Sequence, residues 1–316
     1  MGKELIGFAT GDIHYHWWKT FNSIGERTGV TTNFLAELFG RADEENKPIF
    51  HTGDLFHTPK GLSTKTIHEF MMMMSTVRDV YTSLKIYGIS GNHDMSDGSS
   101  LWGAMCLAFP TIFHNLDNFS ENFRQFQVFG IPYIKRNVGL VEKIEKLSKI
   151  QDRKILLLHT ALYGAPDPSG YELEPQNLPR QLHALFKDFN LVLAGHVHKF
   201  TQVLDNVVMV GAPNQQRTSD SGCQMGYVEI YEDLSFDFVP YKGPKFKYYK
   251  EGEEHENTPD FWIEIPKPRK MKKGSEAEFK PTMSKETMAR RYAEETGITS
   301  QRKIQALIDV LTKTDE

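Results

Sequence analysis

The fold of this chain turns on the stretch LKIYGISGNHDM, residues 84–95. Its first half, LKIYGIS, carries the β-branched and aromatic side chains of a buried strand. Gly91 breaks that strand, so Asn92, His93 and Asp94 fall on the loop at its C-terminal end. In an open α/β sheet that edge is where ligands bind. Asn and Asp also favour ordinary turns, because their side chains hydrogen-bond the local backbone. The motif therefore takes its meaning from the rest of the chain.

Four other apolar runs end in the same way. ELIGFAT (4–10) leads into GDIHYH, which supplies Asp12 and His14. PIFHTGD (48–54) ends in Asp54, with His57 three residues on. RKILLLHT (153–160) brings His159, and NLVLAGHVH (190–198) brings His196 and His198. In extended backbone, residues two apart point the same way. Asp12 with His14, and His196 with His198, can then face one ion, one each or both. Asp12, His14, Asp54, Asn92, His159, His196 and His198 make a set of seven donors, too many for one tetrahedral zinc. The set suits two ions with one shared carboxylate, and Asp54 is the choice for the shared one.

Between these runs lie helix-like segments: 31–47, 63–83, 138–149 and 178–189. Residues 124–134, 207–213, 225–231 and 234–241 read as further β segments. The first half alternates β and α and the end is mostly β. This predicts an α/β chain, a four-layer α/β/β/α sandwich over residues 1–241. Residues 242–281 are polar, then basic and proline-containing, and read as a short cap or linker. Residues 282–316 predict a C-terminal helix pair. Its first helix starts near Ser284 and stops before Gly297. In the second, Ile304, Leu307, Ile308 and Leu311 form one apolar stripe.

Bulk properties narrow the function classes. No run approaches the roughly 20 apolar residues that span a bilayer, and the first residues lack a signal-peptide core. Two cysteines, Cys106 and Cys223, make no disulfide framework, which points to a reducing, cytoplasmic setting. The net charge of −4 is uneven. Residues 265–316 hold 12 Lys/Arg and 8 Asp/Glu, whereas residues 1–264 hold 25 and 33. An acidic main domain has little general pull on nucleic acid, so metal ions or a partner would have to change that balance.

The blocks D-x-H, G-D-x, G-N-H-D, H and G-H-x-H, in this order, resemble the calcineurin-like metallophosphoesterase superfamily from residue 5 to about 240. Within it, GDLFHTPKGLS is most similar to SbcD and Mre-type DNA nuclease subunits. The resemblance implies a two-Mn²⁺ site, with Mg²⁺ as the alternative, that hydrolyses DNA phosphodiesters. It also implies a homodimer through helices near 60–110, an SbcC-type ABC ATPase bound through residues 282–316, a part in DNA repair and recombination, and no membrane. By motif, one ion takes Asp12, His14, Asp54 and His198, and the other takes Asp54, Asn92, His159 and His196. His93 matches a general acid or stabiliser beside the scissile phosphate. His57 matches an orienting or phosphate-contacting residue.

The chain departs from the family's usual D-x-H-x-G at Tyr15 and His16, and His16 is given no metal role. Trp17 and Trp18 on the same loop are candidates to stack on bases, with plain packing as the competing reading. Asp94 and Arg217 have no assigned role. A small cyclic-nucleotide or nucleotide-sugar phosphodiesterase remains as an alternative, although such enzymes usually lack a detached helical tail. A non-catalytic scaffold is a third reading, and loss of donors would be its mark. All seven donors are present.

Overall fold

The computed structural model describes residues 3–18, 26–57, 61–96, 98–135, 139–165, 181–250, 253–254 and 258–265. The chain divides into two units, Met1–Pro266 and Lys267–Glu316. The second unit, which contains the expected helix pair at 282–316, lies outside the described residues.

Strand β1 (Leu5–Thr10) is followed by α1 (Glu26–Glu44), β2 (Ile49–His51), α2 (Thr64–Val80) and β3 (Ile86–Gly88). The short hairpin β4 (Met95–Ser96) and β5 (Ser99–Ser100) leads into α3 (Leu101–Ala108), β6 (Phe113–Asn115), β7 (Ser120–Asn122) and β8 (Gln127–Ile131). Next come α4 (Leu140–Ser148), β9 (Lys154–His159), α5 (Gln181–Leu185) and β10 (Leu191–Gly195). The described chain closes with β11 (Thr201–Leu204), β12 (Val207–Met209), β13 (Gly226–Tyr231), β14 (Phe236–Pro240), β15 (Phe246–Lys250) and β16 (Phe261–Ile265).

Two six-stranded sheets form, in the orders β14-β13-β1-β2-β3-β6 and β11-β12-β10-β9-β8-β7. Period-two alternation along the buried strands builds the layers. Ala9, Phe50, Leu157 and Leu193 face the core between the two sheets. Their neighbours Phe8 and Ile49 face Phe34, Leu38, Phe70 and Met74 of α1 and α2. Leu156, Leu158, Val192 and Ala194 face Ile144 of α4 and Leu182 of α5. This is the α/β/β/α sandwich expected from the sequence. β1, β2 and β3 run parallel, as do β8, β9 and β10. The five donor-bearing loops therefore leave the C-terminal ends of parallel strands.

Several elements differ from the sequence expectation. α1 begins at Glu26 rather than near residue 31. Its first turn buries Arg27 and Thr28 rather than an apolar stripe, so no hydrophobic period announces it. α3 (LWGAMCLA) is apolar nearly all round, and its start is fixed by the Ser100 cap, whose hydroxyl accepts from the Gly103 N–H at 3.1 Å. In the segment expected to be cap or linker, β15 and β16 pair in parallel. Phe246 and Phe261 cluster there with Val30 of α1. Lys247 and Lys250 among the aromatics of FKYYK break any period-two pattern and hid that strand. Among the described residues no helix is long and apolar enough to cross a membrane.

Candidate metal centre

The backbone at the centre is unusual before any side chain is considered. Asp12, His14, Asp54 and His196 all have positive φ, at 48°, 48°, 58° and 96°. Non-glycine residues rarely adopt this region, and such strain clusters at functional sites. It also corrects the reasoning from the D-x-H spacing. Asp12 and His14 do converge, but through left-handed turns rather than extended backbone. The loops after β1 and β2 run side by side, with Asp12 N–H on Gly53 O (2.9 Å) and His14 N–H on Asp54 O (3.0 Å). Gly91 permits the third loop to close in, since a Cβ there would stand 2.0 Å from Asp54 Oδ1.

All seven sequence candidates come together, in two groups. Ligand atoms of Asp12, His14 and His198 lie within 4.8 Å of one another, as do those of Asp54, His159 and His196. His14 Nε2 and His198 Nε2 are 3.1 Å apart. Asn92 Oδ1 joins the second group, 3.0 Å from His159 Nε2 and 2.9 Å from His196 Nδ1. Asp54 Oδ2 stands between the groups, 3.4 Å from His159 Nε2 and 3.7 Å from His14 Nε2. The two histidines of GHVH thus divide, one to each group.

These residues fit a pair of cations. His159 Nδ1–H donates to Thr52 O (2.8 Å), and His198 Nδ1–H donates to Asp220 Oδ2 (3.3 Å). Each ring then turns its Nε2 inward, the usual outer-partner arrangement of a metal-ligating histidine. His159 Nε2 meets only acceptors, Asp54 Oδ2 and Asn92 Oδ1, so a proton or a cation must lie between them. Without metal it is the proton. Burial alone lowers the His159 pKa, but the Asp54 carboxylate overrides it and carries the ring up to about 9. Burial likewise raises Asp54, yet His159 and His14 hold it well below the usual carboxylate range.

A sign follows for stability. The raised His159 pKa contributes stability that is complete below its unfolded value near 6.5 and is lost as pH rises through about 9. Asp94, pushed up to about 7 by burial and by Asp54, acts in the same sense below neutrality. The EDTA-treated protein is expected to lose thermal stability between pH 6.5 and 9, while the Mn²⁺-loaded protein does not. Unfolding midpoints across that range decide it, and an EDTA curve that rises or stays flat would refute the His159 assignment.

His93 lies beside the first group, its ring centroid 4.7 Å from that of His14 and nearly perpendicular to it. Its backbone N–H donates to Asp54 Oδ1 (2.7 Å), and its Nδ1–H donates to the His57 carbonyl. That main-chain oxygen, rather than the His57 imidazole, orients His93. The imidazole stacks on His93 at 5.4 Å and places its Nδ1 3.4 Å from His14 Nδ1. Burial and the neighbouring cationic groups push His57 down to about 4. Trp18 packs 4.5 Å from His57, with Arg27 stacked 3.8 Å over it, whereas Trp17 lies under Lys65. Ring contacts place His16 beside His57 and Trp18, outside both donor groups.

The sequence named Asp94 without a role and missed Asp220 and Tyr133. Fully buried Asp94 accepts from the N–H groups of Asp54 (2.8 Å), Leu55 (3.3 Å), Phe56 (3.1 Å) and Gly91 (2.9 Å). It stitches the second and third donor loops together. Asp94→Ala is expected to cost about 3 kcal/mol by stranding these donors, read as a shift of the urea midpoint. No change would refute the stitching role. Asp220 follows no strand end, so no pattern marks it. Tyr133 sits with its ring 6.3 Å from both His159 and His196.

A four-layer sandwich with paired donor groups at its strand ends defines a metal-dependent phosphoester hydrolase. The chain belongs to the calcineurin-like phosphoesterase family, whose model matches residues 8–200. Among solved structures, it is similar to a dimetal phosphatase from Danio rerio, at 11% identity and a TM-score of 0.47, covering 76% of this chain and 100% of that one. It is also similar to a candidate 5′-nucleotidase from Staphylococcus aureus, at 12% identity and a TM-score of 0.43, covering 74% of this chain and 52% of that one. Among curated proteins no match is found.

Proposed function

We propose that the chain is a manganese-dependent DNA nuclease, the catalytic subunit of an SbcCD-type complex. The observation that carries this reading is His93, held by the His57 carbonyl at the edge of two donor groups that meet at Asp54. Asp12, His14, Asp54 and His198 would hold one ion, and Asp54, Asn92, His159 and His196 the other. When bound, such a pair neutralises phosphate charge and lowers the pKa of a water. The mixed oxygen and nitrogen set admits Mn²⁺ or Mg²⁺, and manganese is taken from the resemblance. A diester also expels an alkoxide that needs a proton, and His93 is placed to give it.

The partner proposals stand on the same resemblance. Deleting residues 282–316 should abolish co-purification with an SbcC-type ATPase and leave metal binding intact; retained co-purification would sink the docking. A homodimer would use the α2 face, where Ile67, Met72 and Val80 are exposed. Bound cations or a partner would have to compensate for an acidic domain on an acidic polymer.

The deciding experiment assays the purified chain on linear single- and double-stranded DNA with Mn²⁺, Mg²⁺ or EDTA. Bis-p-nitrophenyl phosphate serves as a small diester beside them. Metal-dependent DNA cleavage supports the nuclease. Cleavage of the small diester alone, unchanged when the ATPase is added, favours the second reading, a small-nucleotide phosphodiesterase.

A further inference from the structure

Two arginines flank the centre, and the fold uses them differently. Arg27 is buried, stacks on Trp18 and donates to the Gln216 carbonyl at 2.6 Å. It is committed to holding the loops around residues 18 and 216. Arg217 is exposed, and no carboxylate pairs with its guanidinium among the described residues. Its main chain is nevertheless fixed. The Arg217 N–H donates to Asp220 Oδ2 at 2.9 Å, the oxygen that also receives the Gln216 N–H (2.8 Å) and His198 Nδ1–H (3.3 Å). Asp220 is wholly buried, so one inaccessible carboxylate ties the arginine's turn to a donor of the centre. Because the Arg217 N–H and the His198 ring meet on the same carboxylate oxygen, the arginine is anchored next to the His198 side of the centre, within reach of it for so long a side chain.

An unpaired cation beside a site built for cations is unfavourable until an anion arrives. The planar guanidinium fork matches the oxygens of a phosphate. We propose that Arg217 is a substrate-binding residue of this centre, taking a non-bridging oxygen of a phosphate group, and that Asp220 positions the turn that carries it. The proposal rests on reading the centre as a phosphodiester site. The phosphate is either the scissile one or its neighbour along a nucleic acid strand.

The test uses the full chain in excess Mg²⁺, as wild type, Arg217→Lys and Arg217→Ala. Inorganic phosphate is titrated by calorimetry, and KM and kcat are measured on bis-p-nitrophenyl phosphate and on a single-stranded oligonucleotide. Arg217→Ala is expected to weaken phosphate and to raise KM tenfold or more, with kcat much less affected. Arg217→Lys should fall between, because it keeps the charge and loses the fork. Loss on phosphate and on both substrates assigns the contact to the scissile phosphate. A KM rise on the oligonucleotide alone assigns it to the neighbouring one. Wild-type phosphate affinity together with wild-type KM on both substrates overturns the proposal. If wild type hydrolyses neither substrate, the phosphodiester reading fails while the phosphate titration still judges Arg217. A wild-type chain that also takes up no phosphate overturns both.

Discussion

Asp54→Asn is expected to lower diester hydrolysis by about three orders of magnitude, roughly 4 kcal/mol of transition-state stabilisation, and to reduce the number of tightly bound ions from two to one. The argument is geometric. Asp54 Oδ2 lies between His159 Nε2 and His14 Nε2, at 3.4 and 3.7 Å, whereas Asp12 meets the second group through the His196 backbone N–H rather than a ring nitrogen. Asn keeps the volume and can still accept the His93 N–H that now reaches Oδ1 at 2.7 Å. The substitution thus removes charge with little change of shape. Two divalent cations held close together would repel strongly in a buried site, and a carboxylate at the position of Asp54 would offset that repulsion. Equilibrium dialysis against Mn²⁺ and initial rates on bis-p-nitrophenyl phosphate measure the two effects. A second consequence ties back to pH. Asp54 is the largest of the influences that raise the His159 pKa, so the loss of metal-free stability above pH 6.5 should flatten in the variant. Two ions bound with activity near wild type would refute the shared position.

Much of this centre was legible because a parallel sheet turns a one-dimensional pattern into a place. Each of Asp12, Asp54, Asn92, His159 and His196 follows an apolar run, and parallel strands deliver such loops to one edge. The four layers were legible for a related reason. Strands buried on both faces read as continuous apolar runs, as in KILLLH. What escaped was whatever lacks a period. α3 is apolar on nearly all sides, β15 mixes three aromatics and two lysines without a period, and the first turn of α1 carries Arg27 and Thr28. Asp220 and Tyr133 sit on irregular segments that only the tertiary fold brings to the centre. The spacing argument for Asp12 and His14 reached the right pairing through the wrong backbone. Strain of this kind, φ near +48° at both residues, is held in place by neighbouring loops and leaves no mark in a local pattern.

His93→Ala is expected to reduce kcat on DNA by a factor of about 10² to 10⁴, the usual worth of a positioned proton donor. Metal stoichiometry and KM should stay near wild type. His93 contacts Asp54 through its backbone N–H, which alanine retains, and its ring clusters with His14 and His57 rather than with the two groups that meet at Asp54. Two roles for the imidazole predict different substrate dependence. A proton donor matters most when the leaving oxygen is a poor leaving group, as the 3′-alkoxide of DNA is. It matters little for p-nitrophenolate, which departs without help. A residue that only neutralises the phosphate would serve both substrates alike. The ratio of DNA to bis-p-nitrophenyl phosphate turnover should therefore fall at least tenfold in His93→Ala if His93 gives up a proton. The His57 carbonyl fixes the other ring nitrogen as a donor, so Nε2 is the atom left to deliver that proton. Equal losses on the two substrates would make His93 a charge stabiliser, and the leaving-group proton would then have to come from water.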